Sequence, residues 1–394
     1  MGHKQLNWLT NRSVIMGAIL IWSILLLGLS YKVGIQHDFG YYLHHWELVR
    51  DGLNPWMHNE TFPPNTYGPI YNLLAYLVPV QQLLPKLVLT LAFLIANISL
   101  VLQLFRNRPE LSRVAAYLFL IPLNFLVISV VSIFGDNDSM VAALIAFAML
   151  ARFRNQLVAA GILLGLAMLL KYYPALLIPF FCLNQRRIVW KPAIAAVITI
   201  VIGGVLAWLA WGSDFLYSLT FGATREATYL SPLFAIKSHS AFGSNAIDDF
   251  FITNNMIFVL IVAALAFLAS YKLRFTWIEA STTGLFVCLV TYKVGHAQFY
   301  LAWIVLLVGL LIQGDRKGKN LVYAFLPFVG LIEAFQFSYF MRSNQFWDPT
   351  LPIDENIGFA VLGLGLATLG FIYFSPHMRK VRADSTCGSA NLNS

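Results

Sequence analysis

His37-Asp38-Phe39-Gly40-Tyr41-Tyr42 sets a carboxylate just beyond the first long apolar run of the chain. Three more groups of ionisable residues stand at the ends of other apolar runs. They are Asp136 and Asp138 in Gly135-Asp136-Asn137-Asp138, Lys171 in Lys171-Tyr172-Tyr173-Pro174, and Lys293 with His296. A carboxylate can take the proton of a hydroxyl as that hydroxyl attacks. Lysine, arginine and histidine can stabilise the charge on a departing phosphate. A phosphate whose tail is dissolved in the bilayer presents its reactive bond at the depth where these residues lie. The set therefore suits transfer from a lipid-linked phosphate sugar to an acceptor hydroxyl. Asp38 is the candidate base, and Lys171, Arg225, Lys293 and His296 are the candidate phosphate neighbours.

These residues are carried by elements built for lipid. Of 394 residues, 59% are hydrophobic and 11% charged, against roughly 25% charged in soluble domains. Apolar runs long enough to cross a bilayer core, about 17–25 residues, recur along the chain. The expected fold is an all-α polytopic membrane protein of about twelve transmembrane helices, with outer-face loops and short interfacial helices. Although the net charge is +8, no polar stretch interleaves basic and aromatic residues as a nucleic-acid surface would. Cys182, Cys288 and Cys387 have neither metal-ligand nor disulfide-framework spacing. Val14 to Lys32 reads as a retained signal-anchor.

Basic loops alternate with acidic or aromatic ones if Tyr67 to Val80, bracketed by Pro69 and Pro79, dips into the membrane or lies along it without crossing. Most of the 26 lysines and arginines then fall on the amino-terminal side, which the positive-inside rule makes cytoplasmic. This predicts one integral membrane domain over residues 1–382, with both termini cytoplasmic and a flexible tail at 383–394. Outer loops are expected at 34–85, 212–252 and 341–355. Compact loops point to a bacterial inner membrane.

Asp38-Phe39 with Tyr41-Tyr42, Gly52-Leu53-Asn54-Pro55-Trp56 and Tyr67-Gly68-Pro69-Ile70 together resemble the first outer loop of GT-C glycosyltransferases. The likeness is to the polyprenyl-phosphate-mannose-dependent branch and the first mannosyltransferase of GPI-anchor synthesis. Gly135-Asp136-Asn137-Asp138-Ser139, Gly161 to Gly165 and Lys171-Tyr172-Tyr173-Pro174 are similar to a second block of that family. Lys293-Val294 with Gln298-Phe299-Tyr300-Leu301-Ala302-Trp303 is similar to a third. The resemblance spans residues 14–310. It implies a GT-C-like bundle and an inverting glycosyltransferase that moves a hexose, mannose by the nearest branch, from a polyprenyl-phosphate donor to a lipid or glycan acceptor. It implies that Asp38 is the base, and that His37, Tyr41, Tyr42, Tyr67, Asp136, Asp138, Tyr172 and Gln298 contact substrate. No cofactor is implied: Gln36-His37-Asp38 stands where relatives carry the paired acids Asp-x-Asp that would hold a divalent metal.

Blander readings stand beside these. Asp38 could cap a helix or pair with Lys32 or Arg50, Asp136 or Asp138 could cap the helix starting near Ser139, and Lys171 could snorkel to the interface. Trp46, Trp56 and Trp347 could stack on sugars or anchor at the interface. His44, His45 and His58 hint at a metal site, although neighbours on a helix point apart. Glu279 sits near a helix end, and Glu333, inside an apolar run, has no evident partner. A flippase or transporter of lipid-linked substrates is the alternative function, with the buried charges forming its path. The concentration of long polar loops on one side argues against it. A non-catalytic assembly subunit is a third reading.

Overall fold

In a computed structural model of the chain, residues 12–36, 38–56, 65–107, 124–225, 230–231 and 250–343 are described. They form an all-α bundle whose only strands among the described residues are two antiparallel dipeptides, β1 (Leu183–Asn184) and β2 (Arg187–Ile188). The main helices are α1 (Arg12–Val33), α2 (Phe39–Arg50), α3 (Leu84–Asn107), α4 (Phe125–Phe134) and α5 (Asp138–Phe153). Then come α6 (Leu157–Leu170), α7 (Lys191–Trp211), α8 (Tyr217–Thr224), α9 (Asn255–Lys272), α10 (Trp277–Thr291), α11 (Tyr300–Gln313) and α12 (Arg316–Ser343).

Five helices among the described residues are long and apolar enough to cross a membrane: α1, α3, α7, α9 and most of α12. Counting the bent pair α4–α5 as one broken span gives six. The protein is an integral membrane protein; of the roughly twelve crossings expected, these are the helices of full spanning length among the described residues, and the expected last span, before Arg379, lies outside them. Several apolar runs make short helices: α6 has 14 residues, roughly 21 Å of rise against a core of about 30 Å. Of these, α11 lies inside the bundle, whereas α6 is exposed at Val158 and Ile162 and buried at Leu169 and Leu170. Tyr67 to Val80 does not form a spanning helix. Pro69–Leu77 is a nine-residue 3-10 helix, roughly 18 Å long.

Burial follows composition. α11 is apolar all round and buried along nearly its whole length, as a helix at the centre of a bundle must be. α7 and α9 turn Leu206, Leu209, Leu260 and Leu265 outward, as lipid-facing helices do. α6 and α7 approach closely through Gly161 and Gly165. A Cβ on Gly161 would lie 2.2 Å from the Pro192 carbonyl oxygen, so this small-xxx-small pair lets the backbones touch.

Two acidic residues in apolar surroundings gain clear roles. Glu279 completes a capping box with Thr276 at the start of α10. Glu333 reaches from α12 to the start of α4, where its carboxylate accepts from Phe125 N at 2.7 Å and Leu126 N at 3.5 Å. It satisfies backbone donors that lipid could not.

The sharpest departure from a simple helical bundle is the bend between α4 and α5. α4 ends as a π-helix over Ile128–Phe134. Gly135 then adopts the left-handed conformation (φ 70°), and Asp136 N donates to Val130 O at 2.9 Å. The two helices meet at 120°, with Asp136-Asn137-Asp138 at the vertex.

Candidate active site

A cavity of about 610 Å³ lies where the segment leading into the 3-10 helix Pro69–Leu77, the α4–α5 vertex and the ends of α2, α6 and α10 converge. Asp38, Tyr41, Tyr42, Tyr67, Asp136, Lys171, Tyr172, Arg225, His296 and Gln298 all line it. Ten of the residues singled out in the sequence thus share one space. His37 lies outside the described residues, and Asp138 and Lys293 are set behind the wall.

Asp38 occupies the N-cap position of α2, yet its side chain makes no capping hydrogen bond. The carboxylate is a wall group of the cavity, not a helix cap. The helix-cap reading fails for the second acidic pair too. Asn137 holds the N-cap position of α5, without a side-chain capping bond. Asp138 is fully buried and pairs with Lys171, Oδ2 to Nζ, at 2.5 Å.

Lys171 therefore does not snorkel outward. Only 11% of its side chain is exposed. The ammonium also sits 4.6 Å from the Phe299 ring centroid and 5.3 Å from that of Tyr67. The chain reverses here because α6 ends in extended backbone at Lys171, and Pro174 then starts a short 3-10 turn, Tyr173–Leu177. The reversal points the ammonium inward, between a carboxylate and two rings.

The first loop is a packed aromatic block. The Tyr67 hydroxyl donates to that of Tyr42 at 2.9 Å, and the Tyr67 and Tyr71 rings lie 4.6 Å apart. Trp46 Nε1 donates to Tyr71 O at 3.1 Å and Trp56 Nε1 to Tyr67 O at 3.3 Å. Both indoles are buried, so neither is an interfacial anchor nor an open face for a sugar; they fix the backbone that carries the tyrosines. Trp347 and His58 lie outside the described residues. Burial, with the Asp38 and Asp136 charges adding to it, holds the Tyr42 and Tyr67 phenols well above their usual range. These hydroxyls are hydrogen-bond donors, not bases.

Across the cavity, the Tyr172 hydroxyl donates to Phe215 O at 3.1 Å and accepts from Ser218 Oγ at 3.0 Å, tying the Lys171 segment to α8. Lys293 Nζ donates to Ile252 O at 3.0 Å, and its backbone N donates to Asn255 Oδ1 at 2.8 Å. Burial lowers its affinity for a proton. Lys293 thus braces the turn that presents His296 and Gln298, and its ammonium is not on the cavity wall. Against the Leu230 and Ser231 backbone, that turn passes Gly295, where a Cβ would come within 2.3 Å of Ser231 N.

The remaining wall is apolar, made by Met168, Leu176, Leu219, Met256, Leu260 and Leu289. Leu219, Met256 and Leu260 are each more than 40% exposed, so this limb of the cavity reaches the lipid-facing surface between α8 and α9. Among the described residues no three His, Cys, Asp or Glu side chains gather to hold a metal ion. His45 lines the cavity, although in the sequence it reads only as half of a histidine pair. Lys86 gives no signal in the sequence, where it reads as an ordinary charge at the start of an apolar run.

The profile of Glycosyltransferase family 87 matches residues 65–292. That segment contains Tyr67, Asp136, Asp138, Lys171, Tyr172 and Arg225, and leaves Asp38, Lys293, His296 and Gln298 outside. No curated protein matches the chain. Among solved structures the chain is similar to ArnT from Cupriavidus metallidurans, determined bound to undecaprenyl phosphate. The two are 13% identical, the match covers 93% of this chain and 73% of that one, and the TM-score is 0.47.

Proposed function

The chain belongs to glycosyltransferase family 87, and from that premise we propose that it moves a hexose, mannose first among the candidates, from a polyprenyl-phosphate donor to an acceptor hydroxyl with inversion. One observation carries the reading: a single cavity combines carboxylates, cationic groups and an apolar limb that reaches lipid. The prenyl tail lies along Leu219, Met256 and Leu260, and the phosphate meets Lys171, Arg225 and His296. Asp38 takes the acceptor proton as the acceptor oxygen bonds to the anomeric carbon. The bond from that carbon to the phosphate oxygen breaks, and its electron pair leaves with the lipid phosphate. Tyr42 and Gln298 donate to sugar oxygens, Tyr67 orients the Tyr42 hydroxyl by donating to it, and Asp136 accepts from a sugar hydroxyl. The site works at the outer leaflet of a bacterial inner membrane, with both termini cytoplasmic.

The test is reconstitution in proteoliposomes with a polyprenyl-phosphate mannose labelled in the sugar, a parallel glucose donor, and a lipid and glycan extract as acceptor. The expected result is release of polyprenyl monophosphate with label on a new product, faster from the mannose donor. Movement of intact donor across the bilayer without cleavage would replace this reading with that of a flippase.

A further inference from the structure

Lys86 is fully buried in the first turn of α3, and it does not line the cavity. Its ammonium donates to Gly34 O and to Ile133 O, each at 2.7 Å. Gly34 directly follows α1, four residues before Asp38, and Ile133 lies three residues before Asp136. The Nζ stands 5.9 Å from the ring centroid of Phe39, the neighbour of Asp38, and Asp136 is within electrostatic reach of it. The stem fills the space under the α4–α5 bend: a Cβ on Gly135 would meet Lys86 Cγ at 2.6 Å and Cε at 2.9 Å. One turn along α3, Thr90 makes a second rung, donating to Val131 O at 3.0 Å and bonding Ser30 Oγ at 3.2 Å. α3 thus clips α1 to α4 twice, and only the Lys86 rung adjoins the carboxylates.

We propose that Lys86 is a positioning residue that sets the distance between Asp38 and Asp136 by holding the Gly34 and Ile133 carbonyls on one ammonium. This rests on the reading of the cavity as the transfer site. A buried lysine is costly in a membrane protein and usually faces a partner or a functional cavity. Here two backbone carbonyls take two of its three protons, each from a segment leading into an acidic residue. Loss of the ammonium would free both segments by a fraction of a turn, and misplacement of reacting groups by about 1 Å can cost about a hundredfold in rate.

The test uses the full chain in nanodiscs and compares Lys86→Met with Thr90→Val, which cuts the rung remote from the carboxylates. Lys86→Met is expected to lower kcat by about a hundredfold while donor KM stays within about threefold, the pattern of an interaction realised in the transition state. Thr90→Val is expected to keep kcat within about threefold at a comparable loss of thermal stability. Hydrogen exchange supplies a readout that needs no turnover: in Lys86→Met it rises in the peptides carrying Gly34 and Ile133 and not elsewhere. If Lys86→Met fails to fold, Lys86→Gln, which keeps an amide donor group on a shorter, uncharged side chain, is expected to show the same pattern at reduced size. The proposal is overturned if the lysine variant keeps wild-type kcat, or if its exchange is unchanged at those two peptides or raised throughout. A wild-type protein that transfers no sugar, yet whose Lys86→Met variant shows the local exchange change, would refute the functional reading and leave the clip standing.

Discussion

Separating Lys171 from Asp138 should expose how the cavity holds its cation. The pair is 2.5 Å apart, Asp138 has no exposed side-chain surface, and the lysine side chain is 11% exposed. In Lys171→Met, Asp138 is left in a buried site without its cation. Removing one partner of a buried pair typically costs about 3–5 kcal/mol, and the contacts with the Phe299 and Tyr67 rings are lost as well, about 0.5–2 kcal/mol more. Asp138→Asn is milder. The ammonium keeps both rings and can turn toward cavity water, so the loss is about 1–3 kcal/mol, that of an imperfectly satisfied polar group. The double variant removes both charges together, which is often close to neutral, and should be more stable than Lys171→Met alone. Thermal unfolding in nanodiscs at fixed lipid composition reads the order: wild type, Asp138→Asn, the double variant above Lys171→Met, and Lys171→Met last. Losses in the double variant equal to the sum of the single losses would mean that the pair is not coupled, and the argument for a held, inward-facing cation would fail.

Two further outcomes concern the first loop. Because Tyr42, Tyr67 and Tyr71 are all held well above the usual phenol value of 10.0 by burial, their stabilising contribution is complete below pH 10 and is lost as pH rises from there through the folded-state values. The tyrosinate absorbance of wild type and Tyr71→Phe should therefore coincide up to pH 10 and diverge only above it, where unfolding begins; an earlier tyrosinate signal from Tyr71 would contradict the packing. Gly68→Ala drives a Cβ to 2.1 Å from the Leu169 carbonyl oxygen at the point where Gly68 N donates to Leu170 O. It should cost about 1–3 kcal/mol or more in thermal unfolding, and raise donor KM because the contact joins Tyr67 to Lys171. Unchanged stability would show that the two segments are not in contact.

Much of the bundle was legible because lipid imposes a simple rule on composition, and α1, α3, α7 and α9 follow it closely. The central helices were less legible. An apolar run such as Leu157 to Leu170 looks like a short crossing whether it spans or stops at a buried floor, and only its neighbours decide. Asp38, Lys171 and His296 stood out because an ionisable residue at the end of an apolar run costs free energy unless something uses it. The partner of Lys171 did not stand out. Asp138 reads equally well as a helix cap, and the π-turn that displaces it into the bundle leaves no periodic signature. Lys86 was hidden for the opposite reason: lysines flanking spans are common, and only the fold brings the Gly34 and Ile133 carbonyls to it. Trp46 and Trp56 match the composition of an interface, yet both indoles are consumed by backbone carbonyls.

Asp38→Asn tests the central claim most directly. The substitution preserves size and removes the negative charge, so the variant should insert, unfold at the wild-type temperature and bind polyprenyl monophosphate with unchanged affinity. Sugar transfer from the labelled donor should fall by at least about a hundredfold, in the range that a positioned general base contributes. Transfer near the wild-type rate by a correctly folded Asp38→Asn protein would remove this carboxylate from the chemistry and contradict the account.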